Sequence, residues 1–149
     1  MEEKKMTNGL QKQTDDIVLS LEKVFKGVPH LPENIREVLV KIAPWLALIF
    51  GVLGVFAGIA ALGFSPLALF GGVRTGMLVF ATGVLTILSS VLMLLAYPGL
   101  SKKAYKGWVY LFWAEALSAV YAVLTVSVST VLGVVIGLYL LFEVKRYYK

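Results

Sequence analysis

The chain has 149 residues, of which 58% are hydrophobic and only 15% are charged, and its net charge is +5. Soluble domains are about half apolar and about a quarter charged, so this composition excludes an ordinary soluble domain. The absence of cysteine and the presence of a single histidine, His30, exclude disulfides, thiolate chemistry and a histidine-based zinc site. We therefore predict no metal and no cofactor.

The first forty residues are polar compared with the rest of the chain. Residues 1–13 lack hydrophobic periodicity and are predicted to be a disordered tail. From Thr14, a candidate N-cap, to Gly27, apolar residues recur at helical spacing, which predicts a short amphipathic helix. Its polar face carries both charge signs, so docking on another helix or a second copy is supported at least as well as membrane-surface binding. Residues 1–40 are predicted to be a cytoplasmic N-terminal region.

Long apolar stretches follow, with very few charges. Arg74 is the only charged residue in 45–100, and Glu115 is the only one in 107–142. A helix needs about 20 apolar residues to cross the hydrocarbon of a bilayer, and spans must be helical because lipid offers no partner to open backbone groups. We predict an all-α integral membrane protein, an antiparallel bundle of four transmembrane helices in residues 41–149, with spans at 41–62, 72–97, 107–125 and 130–147.

Two span boundaries are harder to place than the others. Residues 64–97 exceed one straight crossing, so "SPLALF" at 65–70 is predicted to be an interfacial or re-entrant piece. A single long tilted helix is the alternative. The turn between the last two spans is predicted within "TVSVST" at 125–130, the only polar cluster in that stretch, although it contains neither glycine nor proline.

The basic residues lie almost entirely on one side of this arrangement. Of fourteen Lys and Arg residues, only Arg74 falls on the opposite side. The positive-inside rule then predicts a cell-membrane protein with both termini in the cytoplasm. Aromatic residues should mark the same interface: Trp45, Tyr97, Tyr105, Trp108, Tyr147 and Tyr148. The flanking basic residues predict contact with anionic lipid head groups and not with nucleic acid: Lys102, Lys103, Lys106, Lys145 and Arg146.

Small residues predict how the spans pack, since close approach matters more in lipid than burial of apolar surface. In the first span they are spaced 4, 3, 4 and 3 residues apart and form one face: Ala47, Gly51, Gly54, Gly58 and Ala61. The fourth span contains a GxxxG pair, Gly133 and Gly137. Near its end, Glu143 is predicted to pair locally with Arg146, three residues later.

Glu115 is the central residue of the candidate intramembrane polar site. It lies about eight residues into the third span, or roughly 12 Å at 1.5 Å per residue, near the bilayer centre. A charge there is costly and has to be neutralised, paired or hydrated. Glu115 could be protonated and hydrogen-bonded to hydroxyl groups of the second span, paired with Arg74, or exposed to water in a pore; the first arrangement is preferred. The candidate hydroxyl residues are Thr82, Thr86 and Ser89.

No second carboxylate, thiol or base accompanies Glu115 in the sequence, so an enzyme is not expected. We predict a non-catalytic structural, accessory or interaction subunit that contacts lipid and either a second copy or a partner membrane protein. The alternative is a small transporter or channel component, as a single bundle or as an oligomer. It would use Glu115 and Arg74 in an ion, proton or anion path.

Overall fold

A computed structural model describes residues 1–149, which form two compact units, Met1–Leu31 and Pro32–Lys149. The first unit contains α1, Glu2–Phe25. The predicted disordered tail is therefore wrong, and so is the N-cap at Thr14, whose hydroxyl donates to the Leu10 carbonyl inside the helix at 2.8 Å. Good helix formers dominate the first turns. Two acidic residues in the first turn also stabilise the helix, because their negative charge interacts favourably with the positive end of the helix dipole.

The second unit contains four long helices and no strand: α2 (Glu33–Ala68), α3 (Val73–Ser101), α4 (Tyr105–Thr125) and α5 (Val128–Val144). All four segments are long and apolar enough to cross a membrane. Short connections make successive helices antiparallel. These observations confirm the predicted all-α bundle with four helices of membrane-spanning length. We call the end with the α3–α4 loop and the C terminus the basic end, and the opposite end the far end.

Helix α2 extends beyond the predicted span 41–62 on both sides. It continues through Pro44 and Pro66, and a 3-10 turn at Leu69–Gly71 follows it. The segment at 65–70 is therefore not a separate interfacial or re-entrant piece, because it completes α2 and enters this turn. The Ser65 hydroxyl, which donates to the Leu62 carbonyl at 2.8 Å, supplies a local hydrogen bond where Pro66 has no backbone N–H to offer.

Two tight turns reverse the chain at the far end. Gly72 joins α2 to α3 with a φ of 109°, a conformation that glycine adopts without steric cost. Val126 joins α4 to α5 in the left-handed region, with φ 48° and ψ 39°. A residue with a Cβ atom pays about 1–2 kcal/mol there, so this turn is strained. Ser127 then caps α5 by accepting a hydrogen bond from the Thr130 N–H at 3.4 Å.

Helices α2 and α3 approach each other through glycines. A Cβ atom on Gly51 would lie 2.8 Å from the Leu94 side chain, and one on Gly58 would lie 3.0 Å from the Gly83 carbonyl oxygen. A Cβ atom on Gly83 would lie 3.2 Å from the Gly58 carbonyl oxygen. The small-residue face of α2 is thus turned toward α3, and the two backbones are in direct contact at Gly58 and Gly83.

A second glycine pair joins α3 to α4 at the basic end. A Cβ atom on Gly99 would lie 2.6 Å from the Gly107 backbone nitrogen, and one on Gly107 would lie 2.8 Å from the Gly99 Cα. Neither side could relieve such an overlap by rotating a side chain, because the clashing atoms belong to the backbone. The backbones of α3 and α4 are therefore in direct contact at these two residues.

Helix α5 packs mainly on α4 and touches α2 in few places. At the basic end, one ion pair joins α2 to α5 and a second joins α2 to the 3-10 turn Lys145–Tyr147 that follows α5. Arg36 Nε lies 3.0 Å from Glu143 Oε2, and both side chains are largely buried. Arg146 Nη2 lies 2.9 Å from Glu33 Oε1 in a solvent-exposed pair, which contributes little stability. The expected local pair of Glu143 with Arg146 is replaced by these contacts, because α2 extends to the level at which α5 ends.

Replacing Gly58 by alanine should lower the free energy of unfolding by about 2 kcal/mol, the usual cost of overpacking a tight contact. The new methyl group would overlap Ile87 and the Gly83 carbonyl. The matched control is Gly133→Ala, where nothing lies within 4 Å of the added Cβ atom. The control should change stability by less than about 0.5 kcal/mol. Unfolding of the detergent-solubilised chain by SDS, followed by circular dichroism, measures both; equal losses would contradict this packing.

Candidate functional site

The Glu115 side chain is turned toward α5, where a glycine makes room for it. A Cβ atom on Gly137 would lie 2.8 Å from the carboxyl carbon of Glu115. Any larger residue at position 137 would therefore displace the carboxyl group. The other glycine of the GxxxG pair, Gly133, has open space beside it. Within this chain the two glycines thus do not form one packing face, since Gly137 alone accommodates a neighbouring side chain.

Glu115 lines a cavity of ≈ 290 Å³, which we call the crevice. The crevice lies between α2 and α5, next to the ends that the Arg36–Glu143 ion pair holds together. Its walls are otherwise apolar, and Glu115 is the only ionisable residue among them. The main apolar wall residues are Ala43, Ala47, Phe50, Met93, Leu111, Leu140 and Val144.

A second cavity of ≈ 340 Å³ adjoins the crevice toward the far end. The two cavities share Phe50 and Met93 in their walls. The second cavity is more polar because several hydroxyl groups line it: Thr86, Ser89, Ser90, Ser118, Tyr121 and Thr130. Apolar and hydroxyl-lined spaces therefore follow one another along the interior of the bundle, with Glu115 on the apolar side.

The hydroxyl groups predicted to face Glu115 bond elsewhere. Thr82 donates to the Val79 carbonyl at 3.1 Å, and Thr86 donates to the Thr82 carbonyl at 2.7 Å. Ser89 donates across the helix interface to the carbonyl of Ala114, the residue before Glu115, at 3.1 Å. Hydroxyls in helices commonly bond to the preceding turn in this way. The structure thus brings Ser89 close to the main chain at Glu115 but does not join any of the three hydroxyls to its carboxyl group.

Arg74 and Glu115 are far apart. Arg74 is an exposed residue in the first turn of α3, at the far end. Ser89, on the same helix as Arg74, marks the level of Glu115. It lies 15 positions after Arg74, which corresponds to about 22 Å at 1.5 Å per residue. The ion pair considered from the sequence is therefore excluded, and the two residues do not share one site.

Trp108 has a different role from the one predicted for an interfacial aromatic residue. It is completely buried, and its indole N–H donates to the Leu141 carbonyl on α5 at 2.8 Å. That carbonyl lies in the last turn of α5, where the Lys145 N–H bonds instead to the Phe142 carbonyl. The Trp108 indole therefore supplies the hydrogen-bond donor that the Leu141 carbonyl lacks at the end of α5. The sequence holds no signal for this contact, because an interfacial and a buried tryptophan occupy the same position along a span.

Main-chain hydrogen bonds assemble the basic end. The Tyr105 N–H donates to the Lys149 carbonyl at 3.0 Å, and the Lys149 N–H donates to the Lys103 carbonyl at 3.1 Å. The C terminus is thereby held against the α3–α4 loop. This pairing gathers the predicted head-group residues at one end of the bundle: Lys102, Lys103, Lys106, Lys145 and Arg146.

Comparison of this chain with family models, with curated proteins and with solved structures finds no match.

Replacing Trp108 by phenylalanine should lower the free energy of unfolding by about 2 kcal/mol, because the buried Leu141 carbonyl loses its partner. Trp113→Phe is the matched control on the same helix, since Trp113 is 40% exposed. It should change stability by less than about 0.5 kcal/mol. Thermal unfolding in detergent measures both variants, and a stable Trp108→Phe protein would contradict the role assigned to the indole.

Proposed function

We propose that this chain is a non-catalytic structural or accessory protein of the cell membrane, which acts by contact with lipid and with another membrane protein or a second copy. One observation carries the proposal: polar side chains form contacts that hold one helix to the next. Trp108 joins α4 to α5, Ser89 joins α3 to α4, and the Arg36–Glu143 pair joins α2 to α5. The remaining outer surface of the four helices exposes many large apolar side chains, the chemistry of a surface that meets lipid or other helices.

The basic end supports contact with anionic lipid. Lys102, Lys103 and Lys106 are exposed beside the C terminus. A basic residue near a membrane surface contributes about 1 kcal/mol of attraction to anionic head groups. With the basic end in the cytoplasm, as the positive-inside rule favours, this attraction would orient the bundle and concentrate anionic lipids around it.

Transport is the second candidate function, and the crevice is the observation that favours it. An intramembrane carboxyl group beside a cavity is a functional candidate by default. Arg74 does not belong to this candidate path, because it lies at the far end. A path through Glu115 would have to continue from the apolar crevice into the hydroxyl-lined cavity, past Phe50 and Met93.

Flux measurements separate the two functions. We expect liposomes containing the purified chain to show no proton or potassium flux above that of empty liposomes. Glu115→Gln should behave in the same way, and its effect should instead be on melting temperature or oligomer size, because the carboxyl group lies against α5 at Gly137. Flux in the wild type that Glu115→Gln abolishes would overturn the structural proposal in favour of transport.

Thiol labelling tests the proposed orientation, because the chain has no native cysteine. A cysteine at Val128, which is 75% exposed at the far end, should react with an impermeant maleimide in intact cells. A cysteine at Ser101, which is exposed at the basic end, should react only after the cells are permeabilised. The opposite pattern would place both termini outside the cytoplasm.

A further inference from the structure

The crevice combines an accessible carboxyl group with apolar walls. No hydrogen bond or ion pair joins Glu115 to another residue. Its oxygen atoms are not among the buried polar atoms that lack a partner, a group that contains only the Tyr148 hydroxyl. The carboxyl oxygens therefore retain accessible surface in the wall of the crevice, where the carboxyl group lies against Gly137.

We propose that the crevice is a binding site for a small lipophilic amine, held as an ammonium–carboxylate pair on Glu115 with its apolar chain along the walls formed by α2 and α5. This site goes beyond the structural function proposed above and does not require transport.

The size of the crevice excludes a larger occupant. A volume of ≈ 290 Å³ corresponds to about ten water-sized groups of about 30 Å³ each. A transmembrane helix is about 10 Å wide with its side chains and cannot enter such a space. A single unbranched chain of about eight to ten non-hydrogen atoms can enter the crevice.

The chemistry of the walls selects an amine over other small occupants. A lipid acyl chain or an alcohol would fill the space between the apolar walls but would place no cation beside the carboxyl group. A bare metal ion needs several oxygen ligands, and among the crevice residues only Glu115 carries side-chain oxygen atoms. An alkylammonium ion supplies hydrogen-bond donors to the carboxylate and also apolar surface to the walls. Charge-assisted hydrogen bonds of this kind are stronger than those between neutral groups, and the apolar walls exclude water.

The route into the crevice runs between α2 and α5. These two helices make few contacts with each other beyond the Arg36–Glu143 ion pair at the basic end. Residues of both helices form the crevice walls: Ala43 and Ala47 on α2, and Gly137 and Leu140 on α5. An amine dissolved in the lipid can therefore reach Glu115 sideways, without a water-filled channel through the bundle.

Octylamine is the probe, and octanol and octanoate are its neutral and anionic analogues. Binding is measured by calorimetry on the full chain in detergent micelles, with empty micelles subtracted. We expect saturable binding of octylamine to the wild type and at least tenfold weaker binding to Glu115→Gln, which retains the shape of the side chain but loses the charge. Glu37→Gln, an exposed residue outside the crevice, is the control for net charge and should bind like the wild type.

A second variant tests the crevice without altering the carboxyl group. Ala43→Phe adds a ring to the crevice wall and should also weaken octylamine binding at least tenfold, while size-exclusion chromatography verifies that each variant is folded. Unchanged binding to Glu115→Gln or to Ala43→Phe would overturn the proposal. Equal binding of octanol and octylamine would also overturn it, because the crevice would then be a site for apolar chains only.

Discussion

The close approach of helices through glycine is the constraint on which the rest of this bundle depends. Apolar helices gain little from association inside lipid unless their backbones come near each other. Here Gly58 meets Gly83 between α2 and α3, and Gly99 meets Gly107 between α3 and α4. Both contacts are backbone to backbone, so they leave no freedom to substitute a larger residue without moving a helix.

The contact between α4 and α5 follows a different rule. Of the two glycines on α5, Gly133 has open space beside it, and Gly137 faces the Glu115 side chain instead of a second glycine. A carboxyl group thus occupies the space that a closely packed backbone fills at the other two interfaces. The consequence is a looser α5, which is held by Trp108 on one side and by the Arg36–Glu143 pair on the other. Removing one partner of such a buried ion pair is far more costly than the net contribution of the pair itself.

This looseness connects the fold to the proposed functions. Because α5 stands away from α2 beyond the basic end, the crevice opens between them with Glu115 in its wall. An occupant of the crevice would touch both α2 and α5, because residues of both helices line it. The structural function and the amine site therefore rest on the same packing but on separate observations: the interhelical polar contacts carry the first, and the accessible carboxyl group carries the second.

The sequence alone determined the class of the fold. Hydropathy and the positions of the few charges are local properties, so they predicted four helices of membrane-spanning length and the glycine-rich face of α2. The same local signals failed for residues 1–13 and 65–70, where helix continues through polar residues and through proline.

Only the tertiary structure decided which residues meet. The rotation of each helix about its axis turns Glu115 toward Gly137. It also leaves the Thr82 and Thr86 hydroxyls hydrogen-bonded to carbonyl groups of their own helix. It also buried Trp108, which the sequence placed at an interface. A periodic pattern defines the faces of one helix but not the partner of each face. That choice depends on the packing of all the helices together, because each contact restricts the rotation of the next.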